Sequence, residues 1–273
     1  MKKLSFLLIV IFLVPNLAVA AAYTPPPNEG QLFLSFLHYN TKRSFNDNRT
    51  SKNFGNSGKF NKNEISFYTL YRFKPQWAAV ATGSIYNQLE YKDRSSSQKF
   101  NGMGDSGVGL RYLIKQNSEG AEALQAMFFF PLYTQNANPT PGNHQYDHEL
   151  RYLKDYYQVL SLDFISWEVA FKHRTSAPSD QIRAEFNLGK SYKDFLFIMK
   201  SSYIQGLRNN SSIVGSSNPN ASNDFDLLKI GPSAVWKFAP KNAAELGYMK
   251  DMWGRNTGHG QTIYLSYWRN FEL

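Results

Sequence analysis

His144-Gln145-Tyr146-Asp147-His148 holds the densest set of metal-ligating side chains in the 273-residue chain. Two imidazoles and a carboxylate suit a borderline divalent cation, although a solvated loop with incidental histidines explains the same cluster and no metal is expected. His173-Arg174-Thr175-Ser176 is the nearest approach to a hydrolytic pair, because a serine beside a general base can attack an ester. A lone histidine at a strand end reads better as an interfacial residue, so no enzyme activity, catalytic residue or cofactor is expected. Gly102-Met103-Gly104-Asp105, followed by Ser106-Gly107-Val108-Gly109-Leu110-Arg111, imitates a phosphate loop. Its glycines lead into a strand rather than a helix, so no helix N-terminus is available to hold an anion. Alternate glycines instead let a strand bend and a bulky neighbour approach, with Asp105 tying the turn through the backbone.

Charged residues that alternate with apolar ones form a second class of candidates. In Gln181 to Ser191, Ile182, Ala184, Phe186 and Leu188 share one face, and Arg183, Glu185, Asn187 and Gly189 share the other. Trp167 to Arg174 repeats the pattern, setting Trp167, Val169 and Phe171 against Glu168, Ala170, Lys172 and Arg174. A period of two belongs to a strand, and a helix cannot sort residues in this way. The same reasoning places Glu64, Arg72, Arg111, Lys115, Lys229, Lys237, Glu245 and Asp251 on polar faces. In a closed barrel that face is the lumen, where charges of both signs either pair or meet solute. Structural pairing is expected for most, with Arg111, Arg174 and Arg183 the leading solute contacts and Glu185, Lys172 and Lys229 beside them.

The elements that must carry these residues number about twelve, each some ten residues long, as tilted membrane strands require. They are Gln31 to Thr41, Asn63 to Phe73, Trp77 to Lys92, Gly102 to Lys115, Glu122 to Thr134, Tyr156 to Ile165, Trp167 to Arg174, Gln181 to Ser191, Phe195 to Gly206, Asn223 to Phe238, Ala243 to Met252 and Gly260 to Leu273. The Phe128-Phe129-Phe130 run and the Gln31 segment leave their facing open. Long polar connections, Lys42 to Lys62 and Gln135 to Asp155 among them, alternate with short turns at Lys74-Pro75-Gln76, Gln116 to Ala121, Ile165-Ser166, Tyr192-Lys193-Asp194 and Ala239 to Asn242. Long extracellular loops and short periplasmic turns alternate in this manner in outer-membrane barrels, which puts both termini on the periplasmic side. The expected fold is all-β: a single closed antiparallel transmembrane β-barrel. A secreted sandwich or small soluble barrel is the alternative, and it would expose fewer aromatics.

The start of the chain fits that location. Lys2 and Lys3 precede an apolar run from Leu4 to Val14, and Ala18-Val19-Ala20 supplies a cleavage site, so residues 1–22 read as a signal peptide cut after Ala20 or Ala22, with the barrel at 23–273. The run is too short to span a bilayer as a helix. The chain has no cysteine, so no disulfide framework holds the exported domain. Aromatic residues reach 16% against 19% charged, an excess that interfacial girdles would use. The formal charge of +9 falls to +7 when Lys2 and Lys3 leave. Export argues against a nucleic-acid partner and favours anionic lipid or solute. Lys42, Arg43, Arg49, Lys52, Lys59 and Lys62 form a basic loop that would meet lipopolysaccharide or a host partner.

A Gly-x-Gly-Asp opening to a strand at Gly102, Gly104 and Asp105, with Phe130-Pro131-Leu132 at a later strand end, resembles the outer-membrane family named for the MetA pathway of phenol degradation. That resemblance implies a twelve-stranded barrel, here expected in the outer membrane of a Gram-negative bacterium, and passive uptake of small aromatic or hydrophobic solutes. The alternative is a structural or surface-interaction barrel acting through its basic loops. The last strand, with Ile263, Leu265, Tyr267, Phe271 and Leu273 on one face, is similar to the signal read by the barrel-assembly machinery.

Overall fold

The computed structural model describes residues 21–209 and 222–273. Twelve long antiparallel strands of 12 to 16 residues form one closed sheet: β1 (Glu29–Thr41), β2 (Lys59–Lys74), β3 (Trp77–Lys92), β4 (Asp105–Asn117), β5 (Gly120–Pro131), β6 (Asp147–Val159), β7 (Leu162–Arg174), β8 (Gln181–Tyr192), β9 (Phe195–Gly206), β10 (Asp226–Ala239), β11 (Asn242–Arg255) and β12 (Gln261–Glu272). Each pairs with its chain neighbours, and β1 pairs with both β2 and β12, which closes the ring. Closure leaves no edge of unpaired backbone groups to face hydrocarbon. No described helix is long and apolar enough to cross a membrane.

Outside, the barrel is apolar. Leu150, Val108, Leu265, Leu246 and Met199 stand exposed on the outer surface, and Trp77, Phe195, Trp236 and Phe238 crowd its short-turn end. This is the apolar band and aromatic rim of a membrane-spanning barrel. Short turns join strands at one end, while the other carries long connections. A three-stranded cap at the long-loop end is made from Arg43–Phe45, Ser51–Asn53 and Thr257–Gly258.

Several boundaries differ from the sequence expectation, three of them by enough to move candidate residues. The stretch 156–165 is not one strand, because the turn lies at Leu160-Ser161 and β6 begins back at Asp147. The polar run before Asp155 is therefore strand rather than loop: its inward positions are Asp147, Glu149 and Arg151, charges that a lumen tolerates. Ser97–Gly102 forms a short strand on the upper half of β3, so Gly102 closes a hairpin and β4 starts only at Asp105. Lys59 and Lys62 belong to β2, not to the preceding loop. The expected leader, residues 1–20, lies outside the described residues, as does most of the loop after Gly206.

Candidate functional site

A chamber of about 560 Å3 occupies the middle of the barrel, inside the roughly 300–1,000 Å3 of ordinary small-molecule sites. Inward positions of the strands line it. From the charged set come Arg111, Arg151, Arg183 and Lys200, balanced by Glu149, Glu168, Glu185 and Glu245. Apolar and aromatic groups between them include Phe33, Leu70, Met127, Phe129 and Trp268. The Phe128 run is thereby settled, since Phe129 points in while Phe128 is exposed outside. Gln31 and Phe33 likewise face in, and Leu34 and Phe36 face out.

Most of the chamber's charge is spent on itself. Arg151 bonds Glu149 at 2.8 Å, contacts Glu168, and lies 3.7 Å from Glu185. Arg183 reaches Glu149 at 3.6 Å, and Lys200 meets Glu245 at 2.5 Å, with the Tyr264 hydroxyl donating to the same carboxylate at 2.9 Å. Arg111 differs from these. Its guanidinium donates to Gln125, to the Tyr68 hydroxyl and to the Tyr23 carbonyl, the last two at 3.0 Å, and it has no carboxylate partner among the described residues. Paired charges in a desolvated wall hold geometry more than they attract ions.

The short-turn end of the lumen is filled by the chain itself. Residues 21–25 run inside the barrel before an exposed turn at 26–28 leads into β1. Ala22 N–H donates to Asp155 at 2.9 Å, Thr24 exchanges two bonds with Gln116, and Arg72 donates to the Pro25 carbonyl at 3.0 Å. Below them Phe164, Leu196, Ile198, Val235, Ala243 and Trp268 pack together with Tyr23 against their edge. Ala22 joins Ala121, Ala123 and Leu153 in a second apolar cluster.

Side chains hold the long-loop end. Arg174 donates to Asn143 at 2.8 Å, and Asn143 donates to Asn223 at 2.9 Å, which ties the loop after β5 to the chain before β10. Lys172 pairs with Asp147 at 2.8 Å and sits 4.2 Å above the Phe129 ring. Arg255 is bound by Asp224 at 2.6 Å and Asp226 at 3.0 Å, all three being buried. Tyr133 hydrogen-bonds Asp105, and burial, then that carboxylate, push its phenol well above the ordinary range. It accepts the His144 N–H at 2.7 Å.

Of the six expected lumen residues, Arg111, Arg183 and Glu185 line the chamber. Lys172 and Arg174 lie above it at the loop end, and Lys229 is 3.6 Å from Asp251 and over the Tyr39 ring. Lys115 does not face in. A bulge between Leu113 and Lys115 shifts the alternation, so Gln116 takes the inward place. Lys62 faces the lumen beside Glu64 at 2.5 Å rather than the surface. Arg49 pairs with Asp226 and stacks on Trp253, whereas Lys42, Arg43, Lys52 and Lys59 are exposed. Asp147 and His148 alternate to opposite faces of β6, so the histidine-rich stretch 144–148 does not bring its two side chains there onto one face. Gly104 and Gly107 do make room: a Cβ on Gly104 would meet Asn87 at 2.6 Å, and one on Gly107 the Phe129 ring at 2.6 Å. Reasoning from sequence missed Glu149, Arg151 and Lys200. The signal for the first two was present in Glu149-Leu150-Arg151-Tyr152.

No family model matches the chain, and no curated protein is similar to it in sequence. Among solved structures, the chain is similar to an outer membrane channel from Pseudomonas putida F1, with TM-score 0.71 and 10% identity, over 92% of this chain and 98% of that one. It is also similar to the translocator domain of the autotransporter NalP from Neisseria meningitidis, with TM-score 0.52 and 9% identity over 92% of this chain and 91% of that one. The NanC porin gives TM-score 0.51 at 9% identity, covering 89% of this chain and all of that one (100%). These likenesses establish the outer-membrane barrel fold.

Proposed function

We propose that this protein is an outer-membrane channel that admits small, uncharged, largely apolar solutes, aromatic ones among them, by passive movement through the central chamber. One observation carries the reading: four cations and four carboxylates line the chamber, and most are bound to one another. The surfaces left for a solute are Phe33, Met127, Phe129 and Trp268. A neutral aromatic molecule gains from such walls by burial and by ring stacking, at about 25 cal/mol per Å2 of apolar surface covered. An ion would have to compete with pairs already made. The channel named among the similar folds, and the sequence's resemblance to a phenol-degradation family, support the same reading.

In this reading the long-loop end faces outward. Lys42, Arg43, Lys52 and Lys59 then meet anionic headgroups of the outer leaflet, and the barrel-assembly machinery reads β12 during insertion. Planar-bilayer recording tests the proposal. Purified protein should pass a small current with a cation-to-anion permeability ratio of about one. Benzyl alcohol should reduce that current reversibly, and benzoate at equal concentration should not. A large, ion-selective current indifferent to benzyl alcohol would overturn it.

A further inference from the structure

Asp155 is completely buried, at 0% exposure, on the inward face of β6. Its Oδ2 accepts the Ala22 N–H at 2.9 Å, while Oδ1 has no hydrogen-bond partner among the described residues. No ion pair to it exists among the described residues. The Tyr157 hydroxyl, two residues along the same face, stands beside that carboxylate and is buried without a hydrogen bond of ordinary geometry, its ring packed against the cluster of Ala22, Ala121, Ala123 and Leu153. A carboxylate in such surroundings is strongly unfavourable without a counter-charge. The apolar wall of Ala121, Ala123 and Leu153 supplies none, and Arg111, whose charge reaches Asp155, makes no ion pair with it and is bound instead to Gln125, Tyr68 and the Tyr23 carbonyl.

One nitrogen beside it can become a cation. Ala21 N donates to Ser166 Oγ at 2.9 Å, and Ser166 stands directly opposite Asp155 in the β6–β7 register. We infer that the leader is cut between Ala20 and Ala21, and that the α-ammonium so created is the counter-charge of Asp155, fastening residues 21–25 inside the barrel. Water adds across the Ala20–Ala21 peptide bond, leaving a carboxylate on the released leader and an amine on Ala21 that takes up a proton at neutral pH. The amide has one donor, already given to Ser166. The ammonium has three, and Asp155 Oδ1 is the open acceptor of the carboxylate that already holds the next residue's N–H. Cutting after Ala22 instead would remove the N–H that binds Asp155 and the methyl group packed on Ala121, Ala123 and Leu153. The Ala18-Val19-Ala20 spacing points to the same bond independently. The inference rests on the leader being a cleaved export signal, and does not depend on which solute the chamber takes.

Intact mass of protein extracted from membranes should give Ala21 as the first residue. A chain beginning at Tyr23, or one that keeps residues 1–20, overturns the inference. Acylation with an amine-reactive ester then tests the pairing. In folded wild type, judged by its heat-modifiable gel mobility, the α-amine should react at least about tenfold more slowly than in unfolded protein. Asp155→Asn should abolish most of that protection, whereas Asp163→Asn, remote from the segment, should retain it. Should Asp155→Asn fail to fold, Ser166→Ala removes the other ligand of the ammonium and is read in the same way. Equal rates in folded and unfolded wild type, or protection unchanged in the variants, would show that no ion pair holds the amine.

Discussion

The two ends of the lumen are narrowed by different physics. At the short-turn end, backbone from residues 21–25 enters the barrel, its peptide groups are bound by Arg72, Arg111, Gln116 and Asp155, and apolar clusters pack around them. At the long-loop end, side-chain charge holds loops together, around Arg174 with Asn143 and around Arg255 with Asp224 and Asp226. Hydrophobic closure has no directional requirement and weakens little with salt. Charge-assisted closure needs every partner in place, and fails when one is removed. The short-turn plug should therefore govern how much passes, and the loop end how firmly the mouth is organised.

Deleting Ala21 to Pro25 attacks the first half of that contrast and should have the largest effect. The barrel should still assemble, because Asn28, whose backbone bonds Leu273 and Arg72 where β1 closes on its neighbours, is kept, and single-channel conductance should rise by about threefold or more. Unchanged conductance would mean the segment is not the constriction. Arg255→Ala attacks the second half. It leaves buried Asp224 without a cation and Asp226 with only the exposed Arg49, at a local cost of about 3–5 kcal/mol. Limited proteolysis should then cut the long loops faster while the barrel keeps its gel mobility.

Two smaller effects sharpen the picture. Arg111 is the chamber cation without a carboxylate partner, so Arg111→Met leaves an uncompensated negative wall. Reversal potentials should shift toward cations by about twofold in permeability ratio. His259 should make the cap sensitive to acid. Burial, then the nearby Arg43 charge, hold its imidazole below the ordinary value while it stacks on Phe45 at 4.3 Å. The unfolded imidazole binds its proton below about pH 6.5. The folded one resists, so cap stability is full above that value and declines as pH falls through it. Hydrogen exchange at Phe45 and Thr257 should quicken from pH 7 to pH 5, and His259→Phe should remove the dependence.

The same division explains what the sequence made legible. β8 was readable because its lumen positions, Arg183, Glu185 and Asn187, are polar along the middle of the barrel while Phe186 faces out. β6 was not, because the pattern inverts partway down it. Glu149 and Arg151 face the chamber, but Leu153, in the same phase, packs on Ala22 in the plug. Its outward neighbour Lys154 meets Glu122 at 2.5 Å on the rim. An apolar plug inside a barrel thus reverses the polarity that alternation relies on, and the strand looked like a loop followed by a strand in the wrong register. Lys115 failed for a related local reason, since no residue type announces the bulge before it. The strand ends at Lys74 and Trp77 were clear from Pro75, which cannot donate to a ladder. The chamber's pairing was beyond reach, because Arg151 and Glu168 meet only once β6 and β7 share a register.

The most direct test of the channel proposal is where a neutral aromatic solute comes to rest. Crystals of the protein soaked with a brominated phenol should show an anomalous bromine peak within the lumen, bounded by Phe33, Met127, Phe129 and Trp268. Bromine only on the outer aromatic rim, with the chamber holding water alone, would contradict it.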